Sequence, residues 1–294
     1  MSTRPAGHVA RSTSRPYSET HSVSRDVTSG GTRLRTFLRT ADGVEIDSVY
    51  ESGSVVYDGD SGAASSLSSS VPEPVFVVAH GFTGDADRPH IRRVARVLAR
   101  YGAVVTFSFR GHGASGGRST VGDREVLDLA AAVAWARELG HERVVTVGFS
   151  MGGSVVLRHA GVGEGGVDAV VSVSAPARWF YRGTAPMRRL HWLVTRPSGR
   201  LVGRYGLRTR IHHRQWDPVP LSPVEAVPRI APTPLLIVHG DQDGYFPLDH
   251  PRMLAAAAGE HGELWVEEGM GHAENAAPDA LLGRIGDWAV ARAG

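Results

Sequence analysis

The sequence predicts an α/β protein with one mostly parallel central sheet and helices on both of its faces. Three observations predict it: short apolar runs without polar alternation, helically periodic segments between them, and glycine-rich loops where the runs end. The runs fall at 75–79, 103–107, 144–147, 167–173, 235–238 and 264–266 and are dominated by valine, leucine and isoleucine. Continuous β-branched runs are what strands covered on both faces require. Between them, Ile91, Val94, Ala95 and Leu98 recur at helical spacing while Arg92, Arg93, Arg96 and Arg100 take the opposite side. Val126, Leu129, Ala130 and Val133 repeat the pattern, as do Leu281, Leu282, Ile285 and Trp288. Strand–helix alternation with right-handed crossovers gives one parallel sheet between two helical layers.

Length and composition bound the remainder. With 294 residues the chain holds one such domain and some fifty residues more. Residues 1–33 are rich in Ser, Thr, Arg and Gly without hydrophobic periodicity and read as a disordered tail, leaving 34–294 as the domain. Two strands, 34–40 and 44–50, flank Ala41-Asp42-Gly43 and read as a hairpin. Residues 58–74 are Gly- and Ser-rich, end in Val-Pro-Glu-Pro, and read as a flexible loop. No secretory-type apolar stretch opens the chain and no 18-residue apolar run occurs, so the expectation is a cytoplasmic protein. There is no cysteine, which excludes disulfides, thiolate nucleophiles and thiolate metal sites. All 32 basic residues are arginine, which excludes a Schiff-base or P-loop lysine. A net charge of +2 gives no overall nucleic-acid signature.

The chemistry concentrates in the loops. Gly148-Phe149-Ser150-Met151-Gly152 stands between a buried strand and the helical Val155-Val156-Leu157. A serine at such a junction adopts a strained backbone, and small residues on either side admit the neighbouring chain. The bland reading is a glycine-rich turn with a capping serine. A serine hydroxyl needs a base, and the base needs an orienting group. His239-Gly240-Asp241-Gln242-Asp243 closes the run at 235–238, and Gly269-Met270-Gly271-His272 follows the run at 264–266.

In this arrangement the chain resembles α/β-hydrolase-fold serine hydrolases, whose order is serine, acid, histidine. The resemblance spans about residues 75–290 and implies the α/β-hydrolase fold with a short lid. It places Ser150 as nucleophile, Asp243 as acid with Asp241 as its rival, and His272 as base. His80 and His239, each before a glycine at a strand end, read instead as buried turn residues, and Asp249 as a helix cap. His80-Gly81-Phe82-Thr83-Gly84 resembles the family's H-G-x loop. The backbone amides of Phe82 and Met151 are thereby placed as the oxyanion hole, although Phe82 also suits an acyl-pocket wall. Arg110-Gly111-His112-Gly113-Ala114-Ser115 resembles a structural turn of the family, but Ser108 stands where many relatives carry an acid.

Residues 175–233 fall where such folds place a lid. From Arg178 through Trp216 this segment carries ten arginines and no acid, interleaved with Trp179, Phe180, Tyr181, Trp192 and Tyr205. It reads as a solvated cap, as a guide for an anionic substrate, or as a contact to an anionic membrane surface; nucleic acid is not expected. The function implied is cleavage of a small-molecule carboxylic ester or similar acyl bond, without cofactor or metal. A thioesterase or amidase of the same fold is the first alternative, and a non-catalytic binding scaffold the second. Small esterases, serine aminopeptidases and monoacylglycerol lipases share these motifs. Oligomeric state is left open.

Overall fold

The computed structural model describes residues 21–28, 31–53, 73–163 and 166–294. The strands are β1 (His21–Thr28), β2 (Gly31–Arg39), β3 (Glu45–Glu51), β4 (Val75–Ala79), β5 (Ala103–Phe107), β6 (Val144–Phe149), β7 (Ala169–Val173), β8 (Leu235–Gly240) and β9 (Gly262–Glu267). The helices are α1 (Pro89–Leu98), α2 (Glu125–Glu138), α3 (Met151–Gly161), α4 (Ala185–Thr195), α5 (Pro197–Gly206), α6 (Pro223–Ala226), α7 (Asp249–Ala258), α8 (Ala273–Ala276) and α9 (Asp279–Arg292).

One sheet runs in the order β1-β2-β3-β5-β4-β6-β7-β8-β9. Its first three strands and the β3–β5 pair are antiparallel, and every pairing from β5 to β9 is parallel. The unbroken apolar runs follow from two cores on the two faces. Val75, Val77, Val105, Phe107, Val170 and Ile237 point to one face, packing with Leu129, Val156 and Leu254 of α2, α3 and α7. Phe76, Val78, Val104, Val147, Val171 and Leu236 point to the other, against Val94 and Leu98 of α1 and Leu282 and Ile285 of α9. Alternate residues of one strand thus serve opposite cores, which leaves no position for polar alternation.

Three expectations are corrected. The tail 1–33 is not without regular structure throughout, because His21–Thr28 pairs antiparallel with β2. An added edge strand is ordered by a single ladder of backbone hydrogen bonds and needs no hydrophobic period of its own. Residues 1–20 and most of the 58–74 loop lie outside the described residues. Strand β7 begins at Ala169 rather than 167, since the Asp168 carboxylate accepts the Val144 N–H at 2.8 Å and pairs with Arg137. The inner face of α2 is Asp128, Leu129, Ala132, Val133 and Ala136, with Glu125 at its start; Val126 and Ala130 are only half-buried flanks. Two carboxylates on a buried face defeat a reading based on apolar residues alone.

Those two acids brace the loops above the sheet. Glu125 accepts from the hydroxyls of Ser119 and Thr120 and from the backbone of Thr120 and Gly122. Asp128 accepts from Arg110 Nε at 2.9 Å, from its Nη2 at 2.8 Å and from its backbone N–H at 2.8 Å. Asp42 of the hairpin turn takes the remaining guanidinium edge at 2.7 Å. Arg110 of the 110–115 turn is thus paired by acids from elsewhere in the chain, where Ser108 supplies none. Burial works against the Arg110 charge, and the two carboxylates outweigh it and hold its pKa above the usual arginine value.

Asp128→Ala leaves a buried guanidinium with one partner, and a broken buried pair of this kind costs about 3 kcal/mol or more. Urea unfolding should show that loss, whereas a midpoint unchanged from the parent would contradict the bracing role.

Candidate active site

Ser150 sits between β6 and α3 with φ 51° and ψ −111°, a conformation side-chain-bearing residues rarely adopt. Its backbone N–H donates to Val173 O at 2.8 Å, and its carbonyl accepts from Ser154 N at 3.1 Å. The glycines around it are required by close packing. A Cβ on Gly148 would strike the Gly152 carbonyl, and one on Gly152 would strike the carbonyls of Ala79 and His80. The turn thus lifts the Ser150 side chain above the carboxyl ends of β4 and β6.

Asp243 follows β8, and its side chain is fully buried. One carboxylate oxygen accepts from the N–H groups of Tyr245 and Phe246 at 2.8 and 3.1 Å, and the other faces His272 Nδ1 at 2.8 Å. Burial alone would raise the carboxyl pKa. The bond from His272 and those from the two backbone amides outweigh it, so the net shift is downward and the group is ionised. An ionised carboxylate only accepts, so His272 Nδ1 is the donor, and in the neutral ring Nε2 is then the acceptor. That nitrogen lies 2.9 Å from Ser150 Oγ. The structure therefore brings Ser150, His272 and Asp243 into one hydrogen-bonded chain. The rival Asp241 is exposed and accepts the Gly269 N–H at 2.7 Å, bracing the His272 loop from below.

Phe82 and Met151 both line the cavity above Ser150. The Met151 N–H opens helix α3, where the first amides have no intrahelical acceptor. The Phe82 N–H has no protein acceptor among the described residues. Its loop is held from three sides. His80 Nδ1 donates to Gly81 O at 2.7 Å while its Nε2 accepts from Phe109 N at 3.0 Å. Glu274 accepts the Gly81 N–H at 3.0 Å, and His112 Nε2 accepts the Thr83 N–H at 3.3 Å. His80 and His239 are buried structural histidines, His239 donating to Phe246 O at 2.8 Å. Asp249 does not cap a helix; it is the first residue of α7 and pairs with Arg178 at 2.9 Å.

Sequence reading missed three supports, and the partner of a fourth, His112, whose turn it places as structural. Glu274 binds the loops of Phe82 and His272 to each other, and Ser174 Oγ accepts the Ala273 N–H at 3.1 Å. Tyr245 stacks on the His272 ring at 4.2 Å and 24°, and His112 steadies Thr83. Ser174 carried a signal as the first residue after a buried run, and His112 as a member of the 110–115 turn.

The segment leading from β7 into α4, helices α4 and α5, and the stretch after them together supply most of the cavity wall. The cavity measures about 380 Å³ and is lined by Phe82, Trp179, Met187, Leu190 and Phe246 near Ser150. That is within the size range of small-molecule sites. Among the described residues no group of acidic, histidine or cysteine side chains has the arrangement of a metal site, and no helix is long and apolar enough to cross a membrane.

Fold and site together define the class: a parallel sheet with a strained serine at its carboxyl edge, a histidine on that serine, and an ionised carboxylate behind it. The chain belongs to the alpha/beta hydrolase family, whose model matches residues 76–284. It is similar to a monoacylglycerol lipase of Mycolicibacterium smegmatis, 27% identical over 259 residues that cover 74% of this chain and 89% of the relative. Among solved structures it is similar to an esterase of Pyrococcus furiosus, with a TM-score of 0.67, 21% identity, and 90% and 94% of the two chains covered. A lidless α/β serine hydrolase of Xanthomonas campestris matches with a TM-score of 0.57 and 20% identity over 88% of this chain and 94% of that one.

Burial lowers the pKa of His80 to about 3 and those of His159 and His250 to about 4. In the unfolded chain each takes up a proton near pH 6.5 while the folded protein does not, so stability falls as pH drops from about 6.5 towards 4. The slope is about 1.4 kcal/mol per pH unit for each fully protonated-when-unfolded histidine. Urea midpoints should decline steeply from pH 7 to pH 5; a flat profile over that interval would contradict the buried neutral state.

Proposed function

We propose that the protein hydrolyses small carboxylic esters through an acyl-enzyme on Ser150. The observation that carries this reading is the continuous chain Asp243–His272–Ser150, with contacts of 2.8 and 2.9 Å, at the floor of a cavity edged by two amides without protein acceptors. The monoacylglycerol lipase and esterase names of similar proteins favour an ester over an amide or thioester.

Ser150 Oγ bonds to the acyl carbon as His272 Nε2 takes the hydroxyl proton. The carbonyl π pair moves onto oxygen, and the N–H groups of Phe82 and Met151 donate to that oxyanion. Asp243 holds the imidazole by Nδ1 and stabilises its protonated form. The carbon–oxygen bond to the alcohol then breaks, and His272 returns the proton to the departing oxygen. Water enters the same route, losing a proton to His272 as its oxygen bonds to the acyl carbon, and Ser150 leaves with that proton. Phe82, Met187 and Phe246 offer the acyl chain an apolar wall, so burial of its methylenes contributes to binding.

With 4-nitrophenyl butyrate, Ser150→Ala should lose roughly 10³-fold or more in kcat and Asp243→Asn roughly 10³–10⁴-fold, with urea midpoints close to the parent. Retention of most activity in a folded Ser150→Ala protein would exclude the acyl-enzyme route.

A further inference from the structure

The same cavity has a second chemical character. Arg182, Arg200, Arg214, His212 and His213 line it, and no carboxylate side chain is among its lining residues. Arg178 also lines it, but Asp249 pairs with its guanidinium. Arg182, Arg200 and Arg214 have no carboxylate within salt-bridge distance among the described residues. The rim is locally ordered: the His212 and His213 rings stack at 5.0 Å and 23°, and His212 Nδ1 accepts the Arg214 N–H at 3.2 Å. Arg200 Nη1 is steadied by the Thr195 carbonyl at 3.0 Å. Desolvation, and after it the neighbouring His212, Arg214, Arg118 and Arg200, lower the His213 pKa.

Uncompensated like charges repel and lower stability, and an apolar wall such as Trp179, Phe180 and Trp216 focuses their field into the cavity. Guanidinium forks match the paired oxygens of carboxylate and phosphate. All three line the cavity that holds Ser150, Arg200 half-buried and Arg182 and Arg214 exposed, so an anion bound there and an ester over Ser150 share one opening. We infer that the ester substrate carries a second, anionic group, a carboxylate or a phosphate, which Arg182, Arg200 and Arg214 hold at the rim while the ester lies over Ser150. The inference rests on the acyl-ester reading above and narrows its substrate class.

Two matched pairs of esters test it. The first is 4-nitrophenyl valerate against 4-nitrophenyl hydrogen glutarate, which places the charge on the acyl side. The second is 1-butyrylglycerol against its 3-phosphate, which places it on the alcohol side. In at least one pair the charged member should have a kcat/KM about tenfold higher, through a lower KM, as one charge-assisted hydrogen bond predicts. That ratio should shrink as salt rises and fall towards one in the Arg200→Gln/Arg214→Gln double variant. The pair that responds tells whether an acyl-side carboxylate or an alcohol-side phosphate is the better match. Ratios of one or below in both pairs, with the neutral esters still cleaved in a Ser150-dependent manner, overturn the inference and leave the esterase reading standing. The same ratios with sedimentation on phosphatidylglycerol vesicles assign the arginines to a lipid surface and overturn it equally. Failure to cleave any of the four esters overturns the parent reading as well.

Discussion

The backbone of Ser150 is held where it does not relax by itself, and the geometry of the site depends on that restraint. A residue with a side chain at φ 51° carries strain of about 1–3 kcal/mol. The strain persists because β6 and α3 are each anchored in the core independently of the turn, with Val147 and Phe149 in one hydrophobic cluster and Val155 and Val156 in the other. Gly148 and Gly152 let the turn close against β4, which also fixes the distance from Ser150 to the Phe82 loop. Relaxing the turn would require prising a strand from a helix.

The partners of Ser150 are positioned by the same economy of elements. Asp243 leaves the end of β8 and His272 the end of β9, adjacent parallel strands in register from Leu235↔Gly262 to Gly240↔Glu267. Their loops are tied together by Asp241 to Gly269, and the His272 loop is tied to the Phe82 loop by Glu274. Ser150, Asp243, His272 and the amides of Phe82 and Met151 therefore sit on the loops after β4, β6, β8 and β9, cross-braced by side-chain hydrogen bonds. In the proposed reaction, rigid support of this kind keeps donors aimed before the substrate arrives, which is where electrostatic stabilisation gains its strength.

Much of this was legible in the sequence, for a physical reason. Ser150, Asp243 and His272 each follow an apolar run, and a parallel sheet delivers the ends of all such runs to one edge. Glycine spacing marked the elbow because close approach leaves no room for Cβ. What escaped was of two kinds. Glu125 and Asp128 are acids on an inner helical face, where their partners, Arg110 among them, come from loops that periodicity does not see. Glu274 and Tyr245 have roles set by tertiary contact alone, with no spacing rule to announce them. The edge strand β1 was missed because backbone pairing, which leaves no compositional trace, orders it. The arginine count of the 175–233 segment was plain from the start; which of those arginines line the cavity was not.

The central claim is that Ser150 is a nucleophile activated by its neighbours. Incubation with a fluorophosphonate probe followed by peptide mass spectrometry tests it most directly. The account predicts one stoichiometric adduct, on Ser150, formed rapidly near neutral pH and greatly slowed in His272→Ala. Absence of an adduct on the folded protein, or an adduct on a different residue, would contradict it.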